Sequence, residues 1–484
     1  MKRYDIVFLH PPPTYSVFED KTAKNPPLFL IMPMGLFSLA GEVENDGWNT
    51  KIVNIPLELA LDRGVTLRKL LRSFEAEIYA IDLHWAIHSA GAIQTAQQCK
   101  TSHPDCLVVL GGMTADYFSE EILRAHTSVD VIVKGEAEQV LPELVGRYLR
   151  HRELGEIRGA DYREEHRVIH NSGRQPLQDL DELDFTNLSL LHHKDEYVRS
   201  DIFGYRRFGP KTPSAIWLPI ARGCVYDCIH CGGSLRCYSA FSGRPNPIFR
   251  SPQKIAEDIE RLDENHIDIM QFSHDPEIGG ENYYRDIVEQ VKKRGVDTSV
   301  YIEAFQSPSE GFFRRTADSF HDPTIALSPE SPSDEVRYLV GKRFSNQDLL
   351  RTLKAADDHL VSTLVYFCLG LPGETRESLG IFDDLVRRIL RTTVNARVIP
   401  PISYVIDPNC QMAIDSKKYA IDLIYRCFED YRQMSLRTGS SSVVNPGYRT
   451  DHLSDRDIVE LTNRCQDSVV YLNRLKKTGL LFKS

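Results

Sequence analysis

The sequence predicts two α/β domains in series, a doubly wound parallel sheet followed by a partial six-unit barrel, and then a mostly helical carboxyl-terminal region. Three observations predict this. Five short runs rich in Val, Ile and Leu alternate with helix-length stretches in the first 145 residues, and six further alternations fill residues 213–405. Three cysteines then stand together just after the first run of the second series, in Gly223-Cys224-Val225-Tyr226-Asp227-Cys228-Ile229-His230-Cys231-Gly232-Gly233. Strand and helix in alternation make a parallel sheet covered on both faces.

In the first domain, residues 1–145, the strands are expected at 4–9, 50–55, 78–82, 107–110 and 129–133. This is a Rossmann-like, doubly wound arrangement, in which ligands bind beyond the carboxyl ends of the strands. The residues following those ends are polar and glycine-rich: His10 and Pro12 in a proline run, His84, Trp85, His88 and Ser89, then Gly111, Gly112 and Thr114, and finally Gly135 and Glu136. Glycines admit a bulky ligand close to the backbone, and the neighbouring polar groups can bind its edges. The GxGxxG turn of a dinucleotide site is replaced after the first strand by Pro11-Pro12-Pro13, which argues against nicotinamide or flavin.

Residues 146–212 are charged and irregular and are expected to act as a linker. In residues 213–405 the strands are expected at 216–221, 267–272, 298–305, 324–327, 363–369 and 396–404, with amphipathic helices between them such as 252–265 and 281–294. Right-handed units of this kind curl into a partial, TIM-like (β/α)6 barrel with its chemistry at the carboxyl-end mouth. Residues 406–484 are expected to hold helices at 415–435 and 454–477, joined through the turn at Asn445-Pro446-Gly447-Tyr448 and ending in a basic tail at Arg474, Lys476, Lys477 and Lys483.

Cys224, Cys228 and Cys231 carry the chemistry. Iron–sulfur clusters are normally held by four thiolates, so three leave one iron open to a small molecule. The competing readings are a zinc site completed by His230 or Cys237, and a chance grouping.

The CxxxCxxC spacing, preceded by an apolar strand and followed by two glycines, resembles the signature of the radical S-adenosylmethionine (SAM) superfamily. The resemblance implies a [4Fe–4S] cluster on the three cysteines, with SAM chelated at the open iron and cleaved by one electron to a 5′-deoxyadenosyl radical. It also implies SAM contacts from Tyr226, His230, Gly232 and Gly233, from Ser273, His274 and Asp275, from Ser328 and Glu330, and from Cys368 and Gly370. Cys368 reads as an apolar wall residue, with a second metal ligand as the alternative. Glu303 and Gln306 are candidates for the same mouth, or ordinary loop polarity.

Leu110-Gly111-Gly112 and Lys134-Gly135-Glu136 make the first domain similar to the cobalamin-binding domain that precedes many radical SAM domains. The corrinoid DxHxxG motif is not reproduced, because Asp82-Leu83-His84 follows the third strand without its glycine. His84 can be a cobalt ligand, a hydrogen-bond partner of a corrin amide, or a ring packed on Trp85; His10 is a further candidate, and a corrin without a protein ligand is also open.

The joint resemblance implies a cobalamin-dependent methyltransferase that moves a methyl group from methylcobalamin to an unactivated carbon, less often phosphorus, of a small-molecule, lipid or peptide substrate. A flavodoxin or ferredoxin would supply the electron. The alternatives are a radical SAM cyclase, oxidase or mutase that makes no methyl transfer from cobalamin, and a nonenzymatic iron–sulfur or zinc protein. The loops at 204–213, 235–247 and 404–412 are the expected substrate readers.

Composition sets the outer bounds. With 484 residues, 42% hydrophobic and 26% charged, the chain can bury two or three cores. Ten cysteines without a secretory pattern point to thiols in a reducing, cytoplasmic compartment. A formal net charge of −10 argues against nucleic acid, and no apolar run reaches membrane-spanning length.

Overall fold

The computed structural model describes residues 2–16, 30–62, 64–165, 167–171, 173, 176–200, 212–437, 444–479 and 481. Contacts divide the chain into two units. The first comprises Met1–Ser214, Arg236–Asn246 and Tyr425–Ser441, and the second comprises Ala215–Leu235, Pro247–Ile424 and Ser442–Ser484.

In the first unit the strands are β1 (Lys2–His10), β2 (Thr50–Asn54), β3 (Phe74–Asp82), β4 (Leu107–Gly111), β5 (Val131–Val133), β6 (Ala160–Glu164) and β7 (Arg167–His170). They lie in the order β2-β1-β3-β4-β5-β6-β7. The first five pair in parallel, and their central residues, such as Ile6, Val7, Ile52, Ile78 and Val108, are wholly buried, as a sheet covered on both faces requires. The strand order reverses between β1 and β3, so the crevice at their carboxyl ends is the topological switch point.

Two expectations change here. Residues 160–170, expected as linker, form β6 and β7, an antiparallel hairpin on the edge of the sheet. The charged residues that read as a linker are its exposed positions, since Glu164 and Arg167 pair across the hairpin beyond the buried Ala160, Asp161 and Tyr162. The first unit also recruits the helix Phe428–Arg437, whose Ser435 hydroxyl lies 2.5 and 2.6 Å from the carbonyls of Pro13 and Ile87, either of which can accept its proton. No periodicity announces such a long-range return of the chain.

In the second unit, β8 (Ala215–Leu218) leads to a small antiparallel ribbon of β9 (Ala221–Arg222) and β10 (Ile248–Phe249). Then come β11 (Ile269–Phe272), β12 (Ser299–Ala304), β13 (His321–Glu330), β14 (Ser362–Leu369) and β15 (Ala396–Val398), with β16 (Ile402–Ser403) beside the end of β14. The six strands β8, β11, β12, β13, β14 and β15 are parallel and lie in sequence order, as a partial barrel demands. Among the described residues, the two end strands of this path, β8 and β15, do not pair with each other.

The last edge is covered by side chains of the helix Asp455–Lys477. Lys476 Nζ donates to the Ala396 carbonyl at 2.8 Å, Asn473 to that of Val398 at 2.7 Å and Gln466 to that of Pro401 at 2.8 Å. This satisfies carbonyls that an open edge would leave exposed. Lys476 is thereby part of the fold, whereas Lys483 lies outside the described residues. The helix expected at 415–435 is broken: after a single turn at Ser416–Tyr419, Ala420 takes a left-handed φ of 53° and β17 (Ile421–Leu423) pairs with β18 (Tyr448–Thr450). Among the described residues no helix is long and apolar enough to cross a membrane.

Candidate active site

The loop that carries the three cysteines starts from a rigid base. Arg250 and Asp258 form a fully buried ion pair at 2.5 Å, and Arg250 also donates to the Pro219 carbonyl at 3.2 Å. Tyr283 donates to the carbonyls of Ile220 and Arg250 at 3.0 and 2.8 Å. Gly223 then turns the chain with a φ of 81° into Cys224.

Within the loop, Tyr226 N donates to Cys224 Sγ at 3.4 Å, Cys231 N to the Cys228 carbonyl at 3.2 Å, and Leu235 N to the Tyr226 carbonyl at 2.9 Å. The segment 404–412, expected to read substrate, clasps this loop. Tyr404 donates to the His230 carbonyl, Asn409 to the Gly232 carbonyl at 3.0 Å, Gln411 to Asp227 Oδ1 at 2.6 Å and Met412 N to the Ile229 carbonyl at 3.0 Å. A Cβ on Gly232 would stand 2.6 Å from Asn409, so the glycine is what lets the clasp close. Gly341 plays the same part on the other side. Its φ is 105°, and a Cβ there would stand 3.0 Å from Cys228 Cα and 3.2 Å from its sulfur.

The donor set fits an iron–sulfur cluster. Three thiols share one loop, a backbone N–H already faces one of the sulfurs, and glycines clear space beside two of them. Burial pushes the Cys224 thiol up to about 11 and the Cys231 thiol up to about 12, and raises that of Cys228. Cys231 nevertheless reaches solvent. Bound metal is what keeps such thiols ionised. The zinc alternative through His230 finds less support, since His230 turns its Nε2 toward Glu330, 3.8 Å away.

The strand ends add charge. Glu330, the last residue of β13, has a left-handed φ of 64°. Its carboxylate lies 3.3 Å from Lys342 Nζ, which also donates to the Phe305 carbonyl at 3.1 Å. Burial opposes ionisation of Glu330, yet Lys342 and then His230 hold its carboxyl below the usual range. Lys342 stays charged despite burial because Glu330 and the thiols of Cys228 and Cys231 face it. Burial pushes nearby Glu303 up to about 7, against the pull of Lys342. Lys342 was invisible to sequence reasoning; its one signal is the Gly341-Lys342 pair closing the turn after the helix Asp334–Leu339.

The remaining expected residues are distributed unevenly. Ser273 Oγ lies 3.2 Å from His274 Nδ1, and burial drops His274 to about 4, so this imidazole is neutral. Asp275 spends its carboxylate on the backbone N–H groups of Glu277 and Phe305, at 2.9 and 2.8 Å. Gln306 bridges to the Gly341 carbonyl at 3.2 Å and accepts from Arg343 N at 2.7 Å. Gly370 has a φ of 99°; its N–H donates to Glu374 at 2.7 Å and its carbonyl accepts from Tyr448 at 2.7 Å. Cys368 is buried, Ser328 half-buried, and Gly233 would bring a Cβ 3.7 Å from Cys231 Sγ.

In the first unit a histidine–aspartate pair lies under the carboxyl ends of β1 and β3: His10 Nδ1 lies 2.9 Å from Asp82 Oδ1, and the His10 and His88 ring centroids are 5.0 Å apart. His10 and His88 are wholly buried, so His10 lies beneath the surface rather than in the crevice. The crevice rim carries His84 and Trp85, packed edge-to-face at 5.1 Å, with the indole 37% exposed. Burial lowers His84, leaving a neutral imidazole. Gly112 makes this rim possible, since its φ is 107° and a Cβ would stand 2.8 Å from the His84 backbone; Thr114 Oγ1 donates to the His84 carbonyl at 3.0 Å. Gly91 likewise admits Pro12, whose carbonyl would lie 1.7 Å from an added Cβ.

An exposed indole beside an imidazole, with Gly112 letting the His84 backbone pack close, suits a large, flat, amide-fringed ligand such as a corrin. Ser89 Oγ donates to the Ala86 carbonyl at 2.7 Å, and Gly135 N to Asp116 at 3.2 Å. Glu136 is gripped bidentately by Arg244 at 3.1 and 2.7 Å and also receives Tyr238 OH at 3.1 Å and Leu177 N at 3.1 Å.

Comparison with known proteins agrees with both halves. Residues 218–386 match the radical SAM superfamily and residues 26–145 match the B12-binding domain. The chain is 27% identical to an uncharacterised methyltransferase of Pyrococcus horikoshii over 76% of its own length and 74% of that protein. It is 24% identical to the hopanoid C-3 methylase of Methylococcus capsulatus and 25% identical to the anaerobic magnesium-protoporphyrin IX monomethyl ester cyclase of Rubrivivax gelatinosus. Those matches cover 56% and 60% of this chain but only 47% and 50% of the two relatives. The fold is shared with the radical SAM methyltransferase TsrM from Kitasatospora setae, solved with cobalamin and a [4Fe–4S] cluster: the TM-score is 0.66 at 14% identity, over 97% of this chain and 89% of that one. The two domain matches make the chain a radical SAM enzyme that carries a B12-binding domain, and the cofactors of those two domains are a [4Fe–4S] cluster, SAM and cobalamin.

Proposed function

We propose that the enzyme transfers a methyl group from methylcobalamin to an unactivated carbon of a small-molecule, lipid or peptide substrate, with an electron delivered by a flavodoxin or ferredoxin. The observation that carries this reading is the joint presence of a B12-binding domain and a radical SAM domain in a chain 27% identical to a methyltransferase over three quarters of its length.

When bound, the cluster and SAM supply a carbon-centred radical and cobalamin supplies the methyl group. The chain's own residues have defined tasks. Cys224, Cys228 and Cys231 hold the cluster. Lys342 offers a buried positive charge beside the thiols for the SAM carboxylate, and Glu330, kept ionised by that lysine, offers acceptors for its hydroxyl or ammonium groups. Tyr226, His230, Gly232, Gly233, Ser273 and Gly370 line the same mouth, while Asp275 holds the loop after β11 through its backbone bonds. Glu303, neutral below about pH 7, can hold a proton there without adding charge. On the corrin side His84, Trp85, Gly111, Gly112 and Thr114 form the rim, with Gly135 and Glu136 supporting the loop after β5.

The kinship with a cyclase favours a second reading, ring formation by hydrogen abstraction without methyl transfer. Product analysis separates the two. With a true substrate, methylation consumes SAM by two routes and yields both 5′-deoxyadenosine and S-adenosylhomocysteine; cyclisation yields 5′-deoxyadenosine alone. Absence of S-adenosylhomocysteine from a turning-over enzyme overturns the methyltransferase reading.

A further inference from the structure

Glu58, His192 and His193 gather on the β2 edge of the first sheet, and none of them belongs to the cluster loop or to the His10–Asp82 pair. Glu58 lies in the helix Ile55–Leu61, which follows β2 directly. Leu191 makes a parallel bridge to Ile52, and His192 N donates to the Ile52 carbonyl at 2.9 Å, which fixes the two histidines against this edge. His192 Nδ1 lies 2.7 Å from Glu58 Oε1, and His193 Nδ1 lies 3.0 Å from both Glu58 oxygens. The imidazole centroids are 4.0 Å apart, and the edge of Phe74 at 4.9 Å orients the ring of His192.

Three features separate this from an ordinary surface ion pair. The Glu58 side chain is only 5% exposed, and among the described residues its ion-pair partners are these two histidines, with neither lysine nor arginine. A buried carboxylate needs a cation or a proton to offset its desolvation. His193 holds a left-handed φ of 52°, unfavourable for a residue with a side chain, and that conformation accompanies its Nδ1 facing the carboxylate. Both histidine side chains remain about a third exposed, at 34% and 39%, so an ion can enter from solvent.

Nitrogen and oxygen ligands bound to one small ion at zinc distances lie roughly 3 Å from each other, as each Nδ1 does from Glu58, and the three ligand atoms all lie within 4.8 Å of one another. We propose that Glu58, His192 and His193 form a binding site for a zinc-type divalent cation, held by the two Nδ1 lone pairs and the Glu58 carboxylate, with water in the open positions. Two imidazoles and one carboxylate suit borderline transition ions rather than magnesium or calcium, which prefer all-oxygen sites. The ion would take the Nδ1 lone pair of each ring, any proton there leaving to Nε2 or to solvent, so no redox step is involved. The ion would staple residues 188–198 to the sheet edge, a role separate from the radical chemistry.

The test uses the full chain carrying its cluster and cobalamin, dialysed anaerobically to equilibrium against zinc chloride, with zinc, iron and corrin counted per chain. The expected result is one more zinc in the wild type than in the His192→Ala/His193→Ala variant, with iron and corrin unchanged. Glu58→Gln should weaken zinc binding by roughly tenfold or more, by analogy with the loss of groups that support metal ligands. Should Glu58→Gln fail to fold, His193→Gln alone carries the same expectation. Zinc should raise the unfolding midpoint of the wild type and leave that of the double variant unmoved. Equal zinc in wild type and double variant, or no zinc at micromolar free metal, overturns the site. Because iron and corrin are counted separately, that failure is distinct from a failure of the two-cofactor reading.

Discussion

Lys342 Nζ stands 3.3 Å from Glu330 Oε1, with only 7% and 13% of the two side chains exposed, in a mouth that also faces the Cys228 and Cys231 thiols. This pair joins the end of β13 to the turn after the helix Asp334–Leu339. Burial alone would neutralise Glu330; the lysine keeps it ionised.

Replacing Lys342 by Met should therefore leave a carboxylate buried without its main partner. Removing one member of a buried pair costs about 3–5 kcal/mol, so the variant should unfold earlier and bind SAM weakly. Lys342→Arg should recover stability better than SAM affinity, because its planar fork does not reproduce the point charge of an ammonium. Thermal unfolding and SAM equilibrium binding check the two effects separately.

Arg244 grips Glu136 bidentately and holds residues 236–246 within the first unit. Arg244→Ala should destabilise the protein by about 3–5 kcal/mol, and Arg244→Met with Glu136→Gln should regain part of that loss. A denaturant series on the single and double variants measures it; an unchanged midpoint in Arg244→Ala would show that the pair contributes nothing.

Gly341→Ala introduces a Cβ 3.0 Å from the Cys228 backbone at a φ of 105°. The strain falls on a proposed cluster ligand, so iron content should drop while corrin content holds. Gly295→Ala, also at a left-handed φ but with open space around it, serves as the control that should retain iron.

Glu374 accepts from Ser331 Oγ at 2.5 Å and from the backbone of Gly370 and Leu371 at 2.7 and 3.1 Å, wholly buried. Burial pushes it up to about 7, against these hydrogen bonds, from an ordinary 4.5. The folded state then holds a proton that the unfolded state has released, so its contribution is fully present below 4.5 and is lost as pH rises toward 7. The loss is on the order of 3 kcal/mol. Glu374→Gln should flatten the stability profile over that window; an unchanged slope would mean that Glu374 is ionised in the fold.

The alternation of strands and the six parallel strands of the second unit were legible in the sequence because each rests on local rules, burial of Val, Ile and Leu runs and helix periodicity, and the three cysteines proposed to hold the cluster stand out by their spacing alone. The first sheet's β6–β7 hairpin was not, because its exposed faces carry the same charged residues that a linker does. Nor was the broken helix at 415–435, where apolar spacing continues through Ala420 but pairing of β17 with β18 prevails. The site divides in the same way. Motif residues such as Cys224 and Glu330 stand out in one dimension, while Lys342, the Tyr404–Met412 clasp, the His10–Asp82 pair and the Glu58–His192–His193 cluster exist only where distant segments meet. Sequence by itself determined which chemistry the chain can support, because ligand type and spacing are local. Tertiary structure decided which charges face that chemistry and which are consumed by the fold, because burial, and with it the cost of an unpaired charge, is set by contacts far apart in the chain.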